Sequence, residues 1–186
     1  MPRVGLTTDA VVDTALDIVD AGGLNALTLA AVAARSDVAP PSLYKHVAGL
    51  PELRTLVALR VLREMTERLT DAVLGLSGDA AIEALMHATR RYVREHPARY
   101  AAVPGDPLGD PVLAEAGARL MEVFLAALRG YQVEGPDAIH ATRCLRAIVH
   151  GFCAIEAAGG FRLPQDLDET FQRLIRMFTA SMRQET

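Results

Sequence analysis

The sequence predicts an all-α protein of about nine helices, in which a three-helix head precedes a larger helical-bundle body. Apolar residues recur at helical spacing through most of the 186 residues. No segment has the strict apolar and polar alternation of a half-buried strand. Hydrophobic residues make up 51% of the chain and charged residues 23%, which is typical of a globular protein with a sizeable core.

The head begins with a predicted helix over about Thr8–Ala21, which Gly22–Gly23 is expected to end with a left-handed cap. A second helix is predicted over Leu29–Arg35, because the Thr28 hydroxyl can accept a hydrogen bond from a free amide of its first turn. Asp37 then suits a tight turn, since aspartate tolerates the left-handed conformation that such a corner needs.

A third short helix is predicted from Pro40, because a proline at the first helical position loses no hydrogen bond. Leu43 and Val47 are four residues apart and are expected to face inward. The residues left on the outside are Pro41, Ser42, Tyr44, Lys45 and His46. His46 fits an inward position equally well. Two short helices around a tight turn form a helix-turn-helix, which places its second helix in the major groove of DNA.

Seven residues of this unit are candidate DNA contacts: Thr28, Pro40, Pro41, Ser42, Tyr44, Lys45 and His46. Thr28 and Tyr44 suit phosphate contacts, whereas Pro41, Ser42 and Lys45 are placed to reach base edges. We therefore predict a DNA-binding helix-turn-helix head over residues 1–50 and a helical body over residues 51–186.

The body is expected to contain six helices and one irregular loop. The helices are predicted over about residues 51–75, 79–96, 97–103, 112–129, 135–158 and 167–182. The loop covers residues 104–111, which include three prolines and two glycines. The helix that begins at Gly135 is apolar nearly all round from Leu145 to Ile155, which predicts burial by its own body on one side and by a second subunit on the other.

The head also carries a specific series of residues. In order they are Leu27-Thr28-Leu29, Val32-Ala33, Val38, Leu43-Tyr44-x-His46-Val47 and Glu52-Leu53. This series resembles the N-terminal domain of TetR-type transcriptional repressors, and the Leu-Tyr-x-His run is its most specific part. Three positions depart from that pattern: Asp37 stands for a glycine, Ala39 for a small polar cap, and Leu50 for a lysine that often contacts phosphate.

A weaker resemblance covers the second half of the chain. His150-Gly151-Phe152, then Glu156 and Gly159-Gly160-Phe161, look like the Trp-His-Gly type of C-terminal domain in the same family, with Val149 in the tryptophan position.

The resemblance implies a homodimeric repressor that leaves a near-palindromic operator when a small apolar or amphipathic effector binds the body. The last two helices would form the dimer, and the helix after residue 50 would couple the effector to the head. The implied ligand-binding residues are Met86, Tyr92, Tyr100, Met121, Phe124, His150 and Phe152. Plain core packing is the alternative for each of them.

The charge of the chain counts against DNA binding. Its net charge is −4, and the first fifty residues carry three cations and five carboxylates. Asp13, Asp17 and Asp20 form one stripe that is expected to face solvent away from DNA. The alternative function is therefore an α-helical interaction protein whose head has lost DNA binding.

Two further clusters allow alternative interpretations. His87, Arg90, Arg91 and Arg94 form either a cationic wall for an acidic effector or, more simply, a solvated helix face. The pairs His140/Cys144 and His150/Cys153 have spacings that a metal site can use, but core or pocket positions explain them better. The two cysteines are expected to be buried, reduced thiols.

Several other functional classes have no support in the sequence. It contains no nucleophile elbow, phosphate-binding loop, dinucleotide-binding glycine motif or zinc-protease motif, so no enzyme activity, cofactor or metal is predicted. No apolar run approaches the length of a membrane span, and no secretion signal is visible. We therefore expect a cytoplasmic protein.

Overall fold

The computed structural model describes residues 6–184, and they form an all-α fold, as predicted. The α-helices are α1 (Thr8–Gly22), α2 (Leu29–Arg35), α3 (Leu50–Val73), α4 (Gly78–Glu95), α5 (Pro97–Ala102), α6 (Ala114–Leu128), α7 (Gly135–Ala157) and α8 (Leu167–Gln184). Short 3-10 segments cover Leu24–Ala26, Pro40–Lys45, Pro107–Gly109 and Arg129–Tyr131. None of the helices in this described range is long and apolar enough to cross a membrane.

Local signals set the helix ends closely. The Thr28 hydroxyl accepts a hydrogen bond from the Ala31 amide at 3.1 Å, and Thr7 caps α1 in the same way. Asp37 has a φ of 52°, which confirms the predicted left-handed turn. Gly23 ends α1 with the positive φ expected of a left-handed cap, 74°, but its ψ of 178° differs from that of the αL conformation predicted there. Its amide still bonds the Val19 carbonyl at 2.7 Å, so an extended ψ leads the chain directly away from the helix.

The chain divides into two compact units. The first comprises the described residues up to Arg63 together with His96–Gly117. Within it α1 packs against α2 and α5, and the segment Pro40–Lys45 packs against α2. Val11, Val19 and Val32 are fully buried in its core. This unit contains the whole predicted head and the first part of α3.

The second unit comprises Glu64–Glu95 and the described residues from Ala118 onward. Here α4 packs against both α7 and α8, which also contact each other. Leu85, Met86 and Phe171 have no exposed surface and form the centre of this core. The functional division at residue 50 stays a prediction, whereas these compact units are defined by packing.

Candidate DNA-binding interface

The turn after α2 is held by backbone hydrogen bonds. The Val38 amide donates to the Ala33 carbonyl at 3.1 Å, and the Ser36 amide donates to the Val32 carbonyl at 2.9 Å. Asp37 adopts its positive φ between these two contacts. The turn therefore has a fixed shape, and it fixes the direction in which the following segment leaves α2.

The segment after the turn, Pro40–Lys45, is a 3-10 helix. The expectation of an ordinary short helix is corrected in this respect. Its two leading prolines have no amide hydrogen, and the Ser42 amide bonds the Ala39 carbonyl three residues back at 2.9 Å. A 3-10 helix has three residues per turn, so residues three apart lie in line. We call Pro40–Lys45 the recognition segment.

The threefold periodicity explains which side chains the recognition segment exposes. Leu43 is fully buried, and His46, three residues later, is half-buried. Val47 is also buried and anchors the exit from the segment. In contrast, Tyr44 is 60% exposed and Lys45 is exposed.

The seven candidate contacts form one continuous stretch apart from Thr28. Pro40, Pro41, Tyr44 and Lys45 are exposed, Ser42 and His46 are half-buried, and Thr28 is exposed at the start of α2. The Thr28 hydroxyl keeps its capping bond and still has solvent access. Polar and cationic side chains of the recognition segment are thus exposed, while Leu43 and Val47 hold the segment against the core. This arrangement suits contact with DNA. DNA contact by each residue stays a prediction.

Arginines outside the predicted head neutralise its acidic stripe. Arg60 of α3 donates to Asp13 at 2.6 Å and to Asp9 at 2.9 Å. Asp13, Asp17 and Asp20 are exposed, as the predicted stripe requires, and Asp13 also shares the Arg60 guanidinium with Asp9. Exposed pairs of this kind contribute little to stability, but they reduce the negative field of the surface.

Two further pairs have the same effect. Arg99 of α5 holds Asp20 through Nη2 and Oδ2 at 2.6 Å, and Arg35 lies 3.5 Å from Asp17. Sequence reasoning missed Arg60 and Arg99, since both are distant in the chain from their partners. No local spacing rule signals such pairs.

The two other departures from the family pattern have clear structural settings. Ala39 precedes the recognition segment and provides no side-chain cap. Leu50 is the first residue of α3 and is half-buried. Within the same first turn of α3, the Glu52 carboxylate accepts a hydrogen bond from the Ala48 amide, which secures this corner. Neither Ala39 nor Leu50 offers a phosphate ligand through its side chain.

Known proteins provide an independent comparison. Residues 82–178 match the family described as tetracyclin repressor-like, C-terminal domain. An uncharacterized HTH-type transcriptional regulator of Bacillus subtilis (strain 168), YobS, is 34% identical over 188 residues, covering 97% of this chain and 95% of that protein. The chain belongs to the TetR family. It is a helix-turn-helix transcriptional regulator of that family.

Two other relatives extend the TetR comparison. The HTH-type transcriptional repressor DrrR1 of Streptomyces coeruleorubidus is 33% identical over 151 residues, which cover 81% of this chain and 53% of that protein. A TetR variant from Acinetobacter baumannii AYE, solved in complex with minocycline, has a TM-score of 0.74 at 20% identity, with 97% of this chain and 98% of that chain covered. The second similarity concerns the fold alone.

The seven implied effector residues of this TetR-family chain lie in different settings. Met86, Tyr92, Phe124 and Phe152 are buried, Met121 and Tyr100 are half-buried, and His150 is exposed. Tyr100 belongs to the first unit and the other six belong to the second. Tyr92 lines a cavity of about 380 Å³ beside Arg68 and Arg91. Their role in ligand binding stays a prediction.

Arg90 is not part of a solvated face. Its side chain is 7% exposed, and its Nε and Nη2 atoms donate to both oxygens of Glu156 at 2.9 and 2.6 Å. The guanidinium also lies 5.2 and 4.8 Å from the ring centroids of Phe152 and Phe171. The Glu156 hydrogen bonds are the main reason that the pKa of Arg90 is raised. Asp168 adds a third ionic contact through Nη1 at 2.8 Å.

The cysteines and histidines do not assemble a metal site within the described residues. Cys153 is buried, as expected, whereas Cys144 is exposed, which corrects the expectation for that thiol. Cys144 instead lines an open groove between α7 and α8. Both thiols are free.

Proposed function

We propose that this TetR-family regulator is a homodimeric repressor that binds a near-palindromic operator and leaves it when a small-molecule effector binds the second unit. The exposed recognition segment carries the DNA-binding part of this proposal. Its similarity to the repressor DrrR1 supports repression, rather than activation, as its mode of regulation. Since operator DNA is cytoplasmic, we place the protein there.

The proposed dimer uses α7 and α8. Large apolar side chains are exposed on these helices at Ile139 (41%), Ile155 (47%) and Met177 (68%). A groove of about 810 Å³ also runs between α7 and α8, with Cys144 and Met177 in its lining. Exposed apolar surface of this kind is typical of an interface. A twofold dimer would set the recognition segments about 34 Å apart, one turn of DNA.

The proposed coupling passes through α3, the helix whose residues belong to both units. An effector that favours one position of α3 would change the spacing of the two recognition segments. Such couplings amount typically to about 1–3 kcal/mol, or roughly 5–150-fold in operator affinity.

DNA binding is tested with the sequences that the purified protein selects from a random pool. Fluorescence anisotropy on a selected duplex should give an affinity that falls as salt increases. If Lys45 contacts phosphate, Lys45→Gln should weaken binding to all sequences and lower the slope of log affinity against log salt by about one. If Lys45 contacts a base, the variant should instead lose its preference at one base pair. Arg173→Gln, an exposed change on α8, is the charge-matched control. Absence of salt-sensitive binding would refute the proposal.

The dimer is tested by sedimentation velocity. Met177→Arg places a charge on the proposed interface and should yield a monomer. Leu74→Arg changes another exposed apolar residue, which directly follows α3, and should leave the dimer intact. A parent protein that sediments as a monomer, or a Met177→Arg variant that stays dimeric, would refute the α7 and α8 interface.

A further inference from the structure

A second cleft in the same unit has a different chemistry from the groove between α7 and α8. It has a volume of about 810 Å³ and is lined by five residues of α4 and two of α8, namely His87, Arg90, Arg91, Arg94, Glu95, Asp168 and Gln172. This volume falls within the usual range of small-molecule sites. Its walls carry guanidinium, imidazole, amide and carboxylate groups in place of an apolar lining. The Glu95 carboxylate is paired with Arg68 at 2.6 Å.

Arg91 and Arg94 supply unneutralised positive charge to this cleft. Both are exposed, and neither has an ion pair or hydrogen bond with any residue in the range 6–184. They are three residues apart on one face of α4, where like charges disfavour the helix. This positive cluster occurs in a chain whose net charge is −4. An anion with oxygen ligands would relieve the repulsion and accept hydrogen bonds from both guanidiniums.

Arg90 extends the cationic wall into the interior. Glu156 binds the Nε–Nη2 edge of its guanidinium in a bidentate pair, and the guanidinium also lies over the neighbouring Phe152 and Phe171 rings. The remaining nitrogen, Nη1, reaches the cleft, where it bonds Asp168 at 2.8 Å. Glu156 therefore fixes the position of Arg90 without occupying Nη1.

Unlike Glu156, Asp168 is exposed enough for a ligand to displace its carboxylate from Arg90. Its side chain is 73% exposed, whereas the Glu156 side chain is 14% exposed. The start of α8 does not depend on the Asp168 carboxylate, because the side chain of Asp166 accepts a hydrogen bond from the Asp168 amide at 2.8 Å. The Asp168 carboxylate can thus exchange with the oxygen of a ligand at Nη1 and leave the helix start in place.

Gln172 of α8 and His87 of α4 add an amide and an imidazole to the lining of the cleft. Gln172 Nε2 lies 2.8 Å from His87 Nε2, and the His87 ring meets the buried Phe171 ring edge-on with centroids 5.4 Å apart. These contacts fix the two side chains beside the cleft. They suit hydrogen bonding to the uncharged part of a polar ligand.

We propose that this cleft binds a small, multiply charged oxyanion, a polycarboxylate or a phosphate ester, which Arg91 and Arg94 hold and which displaces Asp168 from Arg90 Nη1. This inference deepens the proposed function by naming the site and chemical class of an effector. Only the consequence of binding, release of the protein from DNA, rests on the proposed function. Oxyanion binding itself does not require DNA.

Binding is measured by isothermal titration calorimetry on the full chain without DNA, with citrate and glycerol 3-phosphate as separate probes. Binding of citrate alone assigns the carboxylate class, and binding of glycerol 3-phosphate alone assigns the phosphate class. Arg91→Ala/Arg94→Ala should bind the active probe at least roughly tenfold more weakly, because two charge-assisted contacts are lost. Arg173→Ala/Arg176→Ala removes the same charge from exposed positions of α8 and should retain the parent affinity.

Asp168→Asn should act in the opposite direction. Because the competing carboxylate is removed, we expect the active probe to bind at least roughly threefold more tightly. Glu134→Gln removes the same charge at an exposed position on the N-terminal side of α7 and should leave the affinity unchanged. Melting curves of all variants establish that they are folded. Absence of binding by both probes, or equal affinity in the parent and the Arg91→Ala/Arg94→Ala variant, would overturn the inference.

A final measurement separates this inference from the proposed function. The active probe is added to the complex of the parent protein with its selected duplex, and release is followed by anisotropy. A protein that binds DNA but no oxyanion refutes the cleft and leaves the repressor proposal intact. A protein that binds the oxyanion in the cleft but no DNA supports the cleft and refutes the repressor proposal.

Discussion

The buried pair of Arg90 and Glu156 gives the sharpest prediction for stability. Their side chains are 7% and 14% exposed, and two hydrogen bonds of 2.9 and 2.6 Å join them. Glu156→Ala leaves a buried guanidinium with Asp168 as its remaining ionic partner. Removal of one member of a buried ion pair typically costs about 3–5 kcal/mol, because the other charge loses both water and its partner.

Asp168 reduces this loss, since its exposed carboxylate still faces Nη1. We therefore expect the lower end of the range, about 3 kcal/mol for Glu156→Ala. In a chain of this size each kcal/mol shifts the melting midpoint by about 2–4 °C, so the midpoint should fall by about 6–12 °C. Thermal unfolding followed by circular dichroism, at one fixed protein concentration, measures the change.

Two further variants distinguish burial from the loss of any carboxylate. Glu169→Ala removes an exposed carboxylate that bonds Arg173 and Arg176, and it should leave the midpoint nearly unchanged. Arg90→Met/Glu156→Leu replaces both charges with apolar groups and should recover most of the stability that Glu156→Ala loses. Equal midpoints for Glu156→Ala and Glu169→Ala would refute the reasoning.

Three other predictions concern a close approach, a thiol and a carboxyl. A Cβ added at Gly130 would collide with the backbone nitrogen of Gly78, so Gly130→Ala should lower the free energy of unfolding by about 1–3 kcal/mol, measured by thermal unfolding. Burial is the main reason that the pKa of the Cys153 thiol is raised to about 12, so iodoacetamide at pH 8 should not modify it before unfolding. The Tyr131 hydroxyl is the main reason that the pKa of Asp79 is lowered. Asp79 therefore adds stability above a pH of about 4 that is lost as the pH falls through the lowered pKa, and Asp79→Asn should weaken this acid dependence.

Each of these predictions has a control within the chain. Gly105→Ala meets no atom within 4 Å and should not lower the melting midpoint as Gly130→Ala does. Cys144 is exposed in the single chain and should react first in the Met177→Arg variant, so earlier labelling of the buried thiol would contradict its assignment. Asp71→Asn changes an exposed carboxyl and should keep the parent's acid dependence. An Asp79→Asn variant with that same dependence would contradict the contribution of the Asp79 carboxylate and its contacts with Tyr131 and Arg183.

The sequence predicted the start and end of α2 because the deciding interactions are local. Thr28 caps a helix that begins one residue later, and Asp37 adopts the positive φ that its turn requires. The inward positions of Leu43 and Val47 also follow from their spacing and are confirmed by their burial. The 3-10 geometry was missed, because prolines at the start of a helix lose no hydrogen bond in either geometry and therefore do not distinguish a 3-10 helix from an α-helix.

Pairs between distant residues were beyond such reasoning. Arg60 and Arg99 neutralise acids of α1, and Arg90 joins Glu156 at a separation of 66 residues. Helical periodicity indicates which face of one helix is buried, but it does not select the residue opposite on another helix.

The sequence by itself determined the helical fold, the helix-turn-helix and the TetR family, because periodicity, caps and turn residues act within a few positions of the chain. Only the tertiary structure decided which arginines neutralise the aspartates of α1 and that Arg90 lies between Glu156 and Asp168. The physical reason is that Coulomb and desolvation energies depend on distances and burial in space, which packing fixes.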